Sequence, residues 1–225
     1  MDAIDAIMTL RAIRRFTDEP VTEAEVITCL RAARQAPSGG NIQPWQFLVV
    51  REPTIRRGLG DIYRRAYSRY EPAMLAATPP FRDEAEAERY RRTVESARHL
   101  AAHLQEAPVI VLFLMPNISM SLQDEEGPLD VGPPYASLYP AVQNFMLAAR
   151  SLGIGTTLTT VIRIYQDEVR ELLGIPERYE IAALVPMGRP RGRFGIAPRK
   201  PLSAITHWDH FGNRRPEIDD RAERA

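Results

Sequence analysis

Helices and strands alternate along this chain without even βαβ spacing and without a Gly-x-Gly-x-x-Gly turn, which predicts an α+β fold with a mixed central β-sheet wrapped by helices. Two continuous apolar runs, "APVIVLFLM" (107–115) and "YEIAALVPMG" (179–188), supply the sheet centre, because an unbroken run of this length reads as a strand buried on both faces. With 225 residues and 44% hydrophobic content, one core can be filled, so a single domain over 1–225 is expected.

In chain order, residues 2 to 10 read as a short helix. Thr22 and Glu25 form a capping box that opens a second helix running to about Gln35. "APSGGN" ends it, since Pro37 and the pair Gly39-Gly40 do not continue a helix cheaply, and "WQFLVV" (45–50) follows as a buried strand. Pro53 and Thr54 start a helix to about Tyr70, and Glu84 to Gln105 reads as a long, mostly exposed helix; "EPAMLAATPPFRD" between them is broken by three prolines and is expected to be mobile. After the strand at 107–115 comes a long surface loop, then the apolar helix Tyr135 to Leu152, in which Pro140 predicts either a kink or a start one turn later. "IGTTLTTV" is rich in β-branched residues and reads as a strand or strand end, followed by a helix from Asp167 to Leu173 that Gly174 closes. From Arg189 the chain turns Pro-, Gly- and Arg-rich yet keeps Phe194, Leu202, Ile205, Trp208 and Phe211, so 189–225 is read as an extended arm lying on another surface.

Composition excludes several functions. Lys plus Arg and Asp plus Glu are equal at 29 each, which removes the overall attraction behind most nucleic-acid or anionic-membrane binding. No apolar run approaches the ~20 residues of a membrane span. The N-terminal residues show no basic segment and no cleavage site, so the cytoplasm is the expected compartment. The one cysteine, Cys29, sits at helical spacing among Val26, Leu30 and Ala33 and is read as a buried apolar side chain. His99 and His103 are spaced i, i+4 but lack a third ligand, so no metal is assigned.

Three patterns remain. "RAIRRF" (11–16) sets Arg11, Arg14 and Arg15 just after a helix, where guanidinium forks suit phosphate or the edge of an anionic ring; a solvated cationic helix end is the competing reading. "APSGGNIQPW" offers Pro37, Ser38, Gly39 and Asn41 between a helix and a buried strand. "PRKPL" (198–202) places Arg199 and Lys200, the only lysine, in the arm. In order and together with "LGIGTTLTT", these resemble the nitroreductase family of flavoproteins, whose members open with an "RRSIRRF"-type segment and continue with "APSxxNxQPW"; the likeness spans roughly residues 8 to 205.

The resemblance implies a homodimer with exchanged C-terminal arms and two flavin mononucleotides (FMN), each held by both subunits. Arg11 and Arg199 would hold the phosphate, with Arg14 beside the N1 and O2 edge of the ring, where positive charge favours the reduced anionic form. Pro37, Ser38, Gly39 and Asn41 would approach from the second subunit, and Leu158, Thr159 and Thr160 would lie beside the ring with a backbone N–H near N5. Leu10 and Ala12 stand where the family has Arg and Ser, so contacts there are thinner and Arg15 or Lys200 would compensate. A flavin carries the redox chemistry itself, which agrees with the lack of a His, Cys or carboxylate constellation. The implied activity is an FMN-dependent oxidoreductase that takes electrons from NADH or NADPH and passes them, by a ping-pong mechanism, to electron-poor acceptors such as nitroaromatics or quinones. The alternatives are a flavin-storing protein without turnover and a specialised reductive dehalogenase or ene-reductase of the same fold. The single lysine speaks against a deiodinase-type lid, and Ala12 against members that destroy the flavin and carry Asp in the opening segment.

Overall fold

The computed structural model describes residues 1–117, 122–130 and 132–219. A four-stranded sheet lies between two layers of helix. Its strands are β1 (Gln46–Val50), β2 (Val109–Pro116), β5 (Gly155–Thr156) and β6 (Tyr179–Gly188), in the order β1-β2-β6-β5. All three strand pairs are antiparallel, which corrects the expected mixed sheet; parallel pairing is confined to the isolated bridge between Ala12 and Thr156. The apolar runs are continuous because helices cover both faces, not because the strands are parallel.

The two-residue period of a strand sorts β2 between two cores. Val109, Val111, Phe113 and Met115 pack with α2 (Glu23–Ala33) and α5 (Tyr139–Ser151) through Val26, Cys29, Val142 and Phe145. Ile110, Leu112 and Leu114 face α3 (Pro53–Ala76), α4 (Glu84–His103) and α6 (Gln166–Leu173) through Leu59, Tyr63, Leu100 and Val169. Each such large side chain removed from water stabilises the fold by about 1.5–3 kcal/mol.

Local chemistry explains the ends. The capping box is present: the Glu25 amide donates to Thr22 Oγ1 at 3.3 Å, and the Thr22 amide to Glu25 Oε2 at 2.9 Å. Pro140 sits in the first turn of α5, so the helix begins after a 3₁₀ turn at Pro134–Ser137 rather than kinking. Gly174 caps α6 with φ 65°. The helix expected to stop near Tyr70 continues through Pro72 to Ala76. Its last turn is held by α4, where Tyr90 Oη donates to Met74 Sδ at 2.6 Å. Part of the segment after β2 is a hairpin, β3 (Leu122–Asp124) with β4 (Gly127–Leu129); residues 118–121 and 131 of the expected loop lie outside the described residues. Only Gly155 and Thr156 of "IGTTLTTV" form a strand, with Thr159 bridging to Leu184.

The arm leaves β6 beside the N-terminal segment. Thr17 N–H donates to Arg189 O at 2.9 Å, and Arg191 N–H to Arg15 O at 3.0 Å. Arg150 fixes it further, with its guanidinium 4.1 Å over the Phe194 ring and Nε donating to Thr9 Oγ1 at 3.0 Å. Beyond that point Ile196, Leu202, Ile205 and Phe211 are exposed, Phe211 at 93%. Ile4, Ile7 and Met8 of α1 (Ala3–Thr9) are exposed as well.

Candidate functional site

The extended segment after α1 lies along the sheet edge, where Ile13 N–H donates to Thr156 O at 2.8 Å and Ile13 and Phe16 enter the core. Between and before these two, Arg11, Ala12 and Arg14 line a cleft of about 350 Å³. Leu158 and Arg199 line the same cleft, so residues from the N-terminal segment, the 154–160 segment and the arm converge there. Ile7 and Leu10 line it too, as do Gln143, Met146, Thr156 and Thr157. None of these last four was picked out from the sequence. Gln143 offered a weak signal, as one of two adjacent polar residues, with Asn144, in the middle of a mostly apolar helix.

The cleft is cationic. Among the described residues, Arg11, Arg14 and Arg199 make no ion pair, whereas Arg65, Arg98 and Arg189 elsewhere on the chain are each paired with a glutamate. Arg14 is half-buried beneath α3 and α4, with one long hydrogen bond at 3.5 Å to Ser96 Oγ. Burial pulls its pKa below the ordinary value, and the neighbouring Tyr63 and Tyr67 oppose that only in part. Thr156 Oγ1 is buried here with no hydrogen-bond partner, and an unmade polar contact of this kind costs about 1–3 kcal/mol. The backbone N–H groups of Leu158 and Thr160 likewise have no acceptor among the described residues. Unneutralised cations, an orphaned hydroxyl and free amides together make a site for an anionic, hydrogen-bond-accepting ligand.

The other expected residues fall elsewhere. Thr159 uses its hydroxyl on Tyr63 Oη at 3.0 Å, behind the cleft, and burial pushes the Tyr63 phenol upward. Arg15 does not line this cleft; burial lowers the pKa of His99 on α4, and the charge of Arg15 adds to that. Lys200 lines a second, larger cleft between α4 and the arm, which Arg199 also borders. Pro37, Ser38 and Gly39 line a third cleft with Pro134 and Ser137, and this one shares no lining residue with the first. Its loop is held in left-handed backbone at Gly40 (φ 56°), Asn41 (φ 56°) and Gln43 (φ 47°). For Gln this costs on the order of 1–2 kcal/mol. Ser38 Oγ accepts the Gln43 amide at 3.0 Å, which fixes the loop and leaves the Ser38 O–H free to donate.

Residues 7–189 match the sequence model of the Nitroreductase family. The chain belongs to the nitroreductase family. As a nitroreductase-family member it is 26% identical over 221 residues to an NADH dehydrogenase of Thermus thermophilus, covering 92% of this chain and 96% of that protein. It is also 28% identical over 205 residues to the iodotyrosine deiodinase of Drosophila melanogaster, covering 87% of this chain and 65% of that one. Among solved structures, an FMN- and NADPH-dependent nitroreductase from a Sphingopyxis strain superposes with a TM-score of 0.68 at 21% identity, covering 94% of this chain and all of the other. That similarity establishes the nitroreductase-like fold.

Proposed function

We propose that the protein is an FMN-dependent NAD(P)H oxidoreductase, active as a homodimer, that reduces electron-poor acceptors such as nitroaromatics or quinones in alternating half-reactions. The observation that carries this reading is the cleft in which Arg11, Arg14 and Arg199 meet with no carboxylate lining it among the described residues. FMN fits that chemistry, since its phosphate takes guanidinium forks and its ring edge accepts hydrogen bonds. Arg11 and Arg199 would hold the phosphate, Arg14 the pyrimidine edge of the ring, and the Leu158 and Thr160 amides would be available to donate to it.

The homodimer is supported by the separation of the two motif sets. Ser38 and Arg11 line different clefts in one chain, so a site that uses both draws them from two chains. The exposed Ile4, Ile7 and Met8 of α1 and the exposed Ile205 and Phe211 of the arm provide apolar surface for such a contact.

When bound, the isoalloxazine ring supplies the two-electron chemistry. The chain's own residues bind, orient and polarise. Arg14, short of water and of counter-charge, is placed to stabilise negative charge at the N1 edge. Tyr63 holds Thr159, and with it the 158–160 backbone, in position. The left-handed loop at 40–43 fixes Ser38 as a donor from the second subunit.

Arg199→Ala tests the phosphate assignment. Loss of a charge-assisted hydrogen bond of about 1.5–3 kcal/mol weakens FMN binding roughly tenfold to a hundredfold, while the rate of FMN-saturated protein with NADPH changes little. Unchanged FMN affinity overturns the assignment. Bleaching of the flavin by NADH or NADPH under anaerobic conditions separates an enzyme from a flavin store.

A further inference from the structure

The second cleft encloses about 1040 Å³ between α4 and the arm segment 198–205. Arg82, Arg89, Arg199 and Lys200 border it, against the single carboxylate of Glu86. Glu86 is paired with Arg82 at 3.2 Å, so Arg89, Arg199 and Lys200 are left without an ion pair among the described residues. Two aromatic rings, Phe81 and Tyr90, lie against each other on the same wall with centroids 5.1 Å apart.

This cleft adjoins the first in two ways. Arg199 borders both. In addition, residues 86, 89, 93 and 96 recur at helical spacing along one face of α4, so that face runs from Ser96, at Arg14, to Arg89 and Glu86 in the second cleft, with Arg82 just before the helix start. Seven residues of helix separate Ser96 from Arg89, a rise of about 10 Å. A ligand with one end over the flavin ring thus meets the aromatic pair and the free cations with its other end. A nicotinamide dinucleotide has that length, an adenine to stack and, in its phosphorylated form, a dianionic group remote from the nicotinamide.

We infer that the cleft between α4 and the arm binds the adenosine 2′-phosphate of NADPH, with Arg89 and Lys200 as its cations, and so selects NADPH over NADH. This rests on the oxidoreductase reading above and names its electron donor. An exposed site with two cations suits a phosphate dianion, whereas the two free ribose hydroxyls of NADH give them nothing to neutralise.

The test uses the FMN-saturated protein in anaerobic stopped-flow, following flavin bleaching at varied NADPH and NADH. The apparent second-order rate constant is expected to be at least about tenfold higher for NADPH, to fall about tenfold in Arg89→Ala, and to recover in Arg89→Lys. With NADH the three proteins should agree within about twofold, which also shows that Arg89→Ala folds and holds FMN. Equal rates with both donors in the unmodified protein, or an equal loss on both in Arg89→Ala, overturns the inference. Should neither donor bleach the flavin, the oxidoreductase reading fails instead. Calorimetric titration with adenosine 2′,5′-bisphosphate then decides separately: binding that Arg89→Ala weakens supports the cleft as a 2′-phosphate site, and no binding overturns it.

Discussion

Arg14→Ala separates electrostatic tuning of the flavin from cofactor retention. Arg14 carries its charge half-buried, with Ser96 as its one hydrogen-bond partner and no carboxylate among the described residues. A unit charge about 4 Å from a developing negative charge contributes ~4 kcal/mol at an effective dielectric of 20. The cleft is open on one side, and solvent screening reduces this to about 1–2 kcal/mol. At 30 mV for each ~1.4 kcal/mol of a two-electron couple, the midpoint potential shifts by about 20–45 mV. The sign is fixed: a cation favours the reduced anionic ring, so removing Arg14 lowers the potential, and Arg14→Lys restores most of it because a point charge suffices. Spectroelectrochemistry of the FMN-loaded proteins reads this directly. Burial of Arg14 without a counter-charge already disfavours its ionised form, so the apoprotein of Arg14→Ala should melt within a few degrees of the parent. Equal potentials in parent and Arg14→Ala would refute the placement of Arg14 at the ring and return "RAIRRF" to a charged helix end.

Two further outcomes test the scaffold. Gly155→Ala places a Cβ 2.6 Å from Ile13 Cγ2, and overpacking of this kind costs about 1–3 kcal/mol. Because Ile13 lies between Arg11 and Arg14, thermal stability and FMN affinity should fall together; a loss of stability with unchanged affinity would separate the strand edge from the site. Burial pushes the Cys29 thiol up to about 12, so the native protein should resist iodoacetamide at pH 8 and react only on unfolding, as mass spectrometry would show. Rapid native alkylation would contradict the packing of α2.

Local signals in the sequence were legible where one segment contains the whole cause. The Thr22–Glu25 box, the start of α5 at Pro140 and the stop at Gly174 each depend on residues within a turn of one another. Pro72 misled because the contact to the turn beyond it, Tyr90 to Met74, comes from a different helix. Strand direction was illegible for a related reason: burial on both faces gives a continuous apolar run in parallel and antiparallel sheets alike. Within the site, Arg11, Arg14 and Leu158 could be found by resemblance, and the structure places them together with Arg199. Ser96, which touches Arg14 across 82 positions of chain, and the orphaned hydroxyl of Thr156 have no local signature. Arg15 and Lys200 cannot be told from their neighbours by sequence, yet Arg14 and not Arg15, and Arg199 and not Lys200, line the first cleft.

The central claim is that two copies of the chain build each flavin site, Arg11, Arg14 and Arg199 from one and Ser38 and Asn41 from the other. Light scattering on the FMN-loaded protein, with flavin absorbance recorded across the same peak, tests it most directly. The expected species has twice the 25.4 kDa chain mass and one FMN per chain. A 25.4 kDa species that keeps stoichiometric FMN would contradict it.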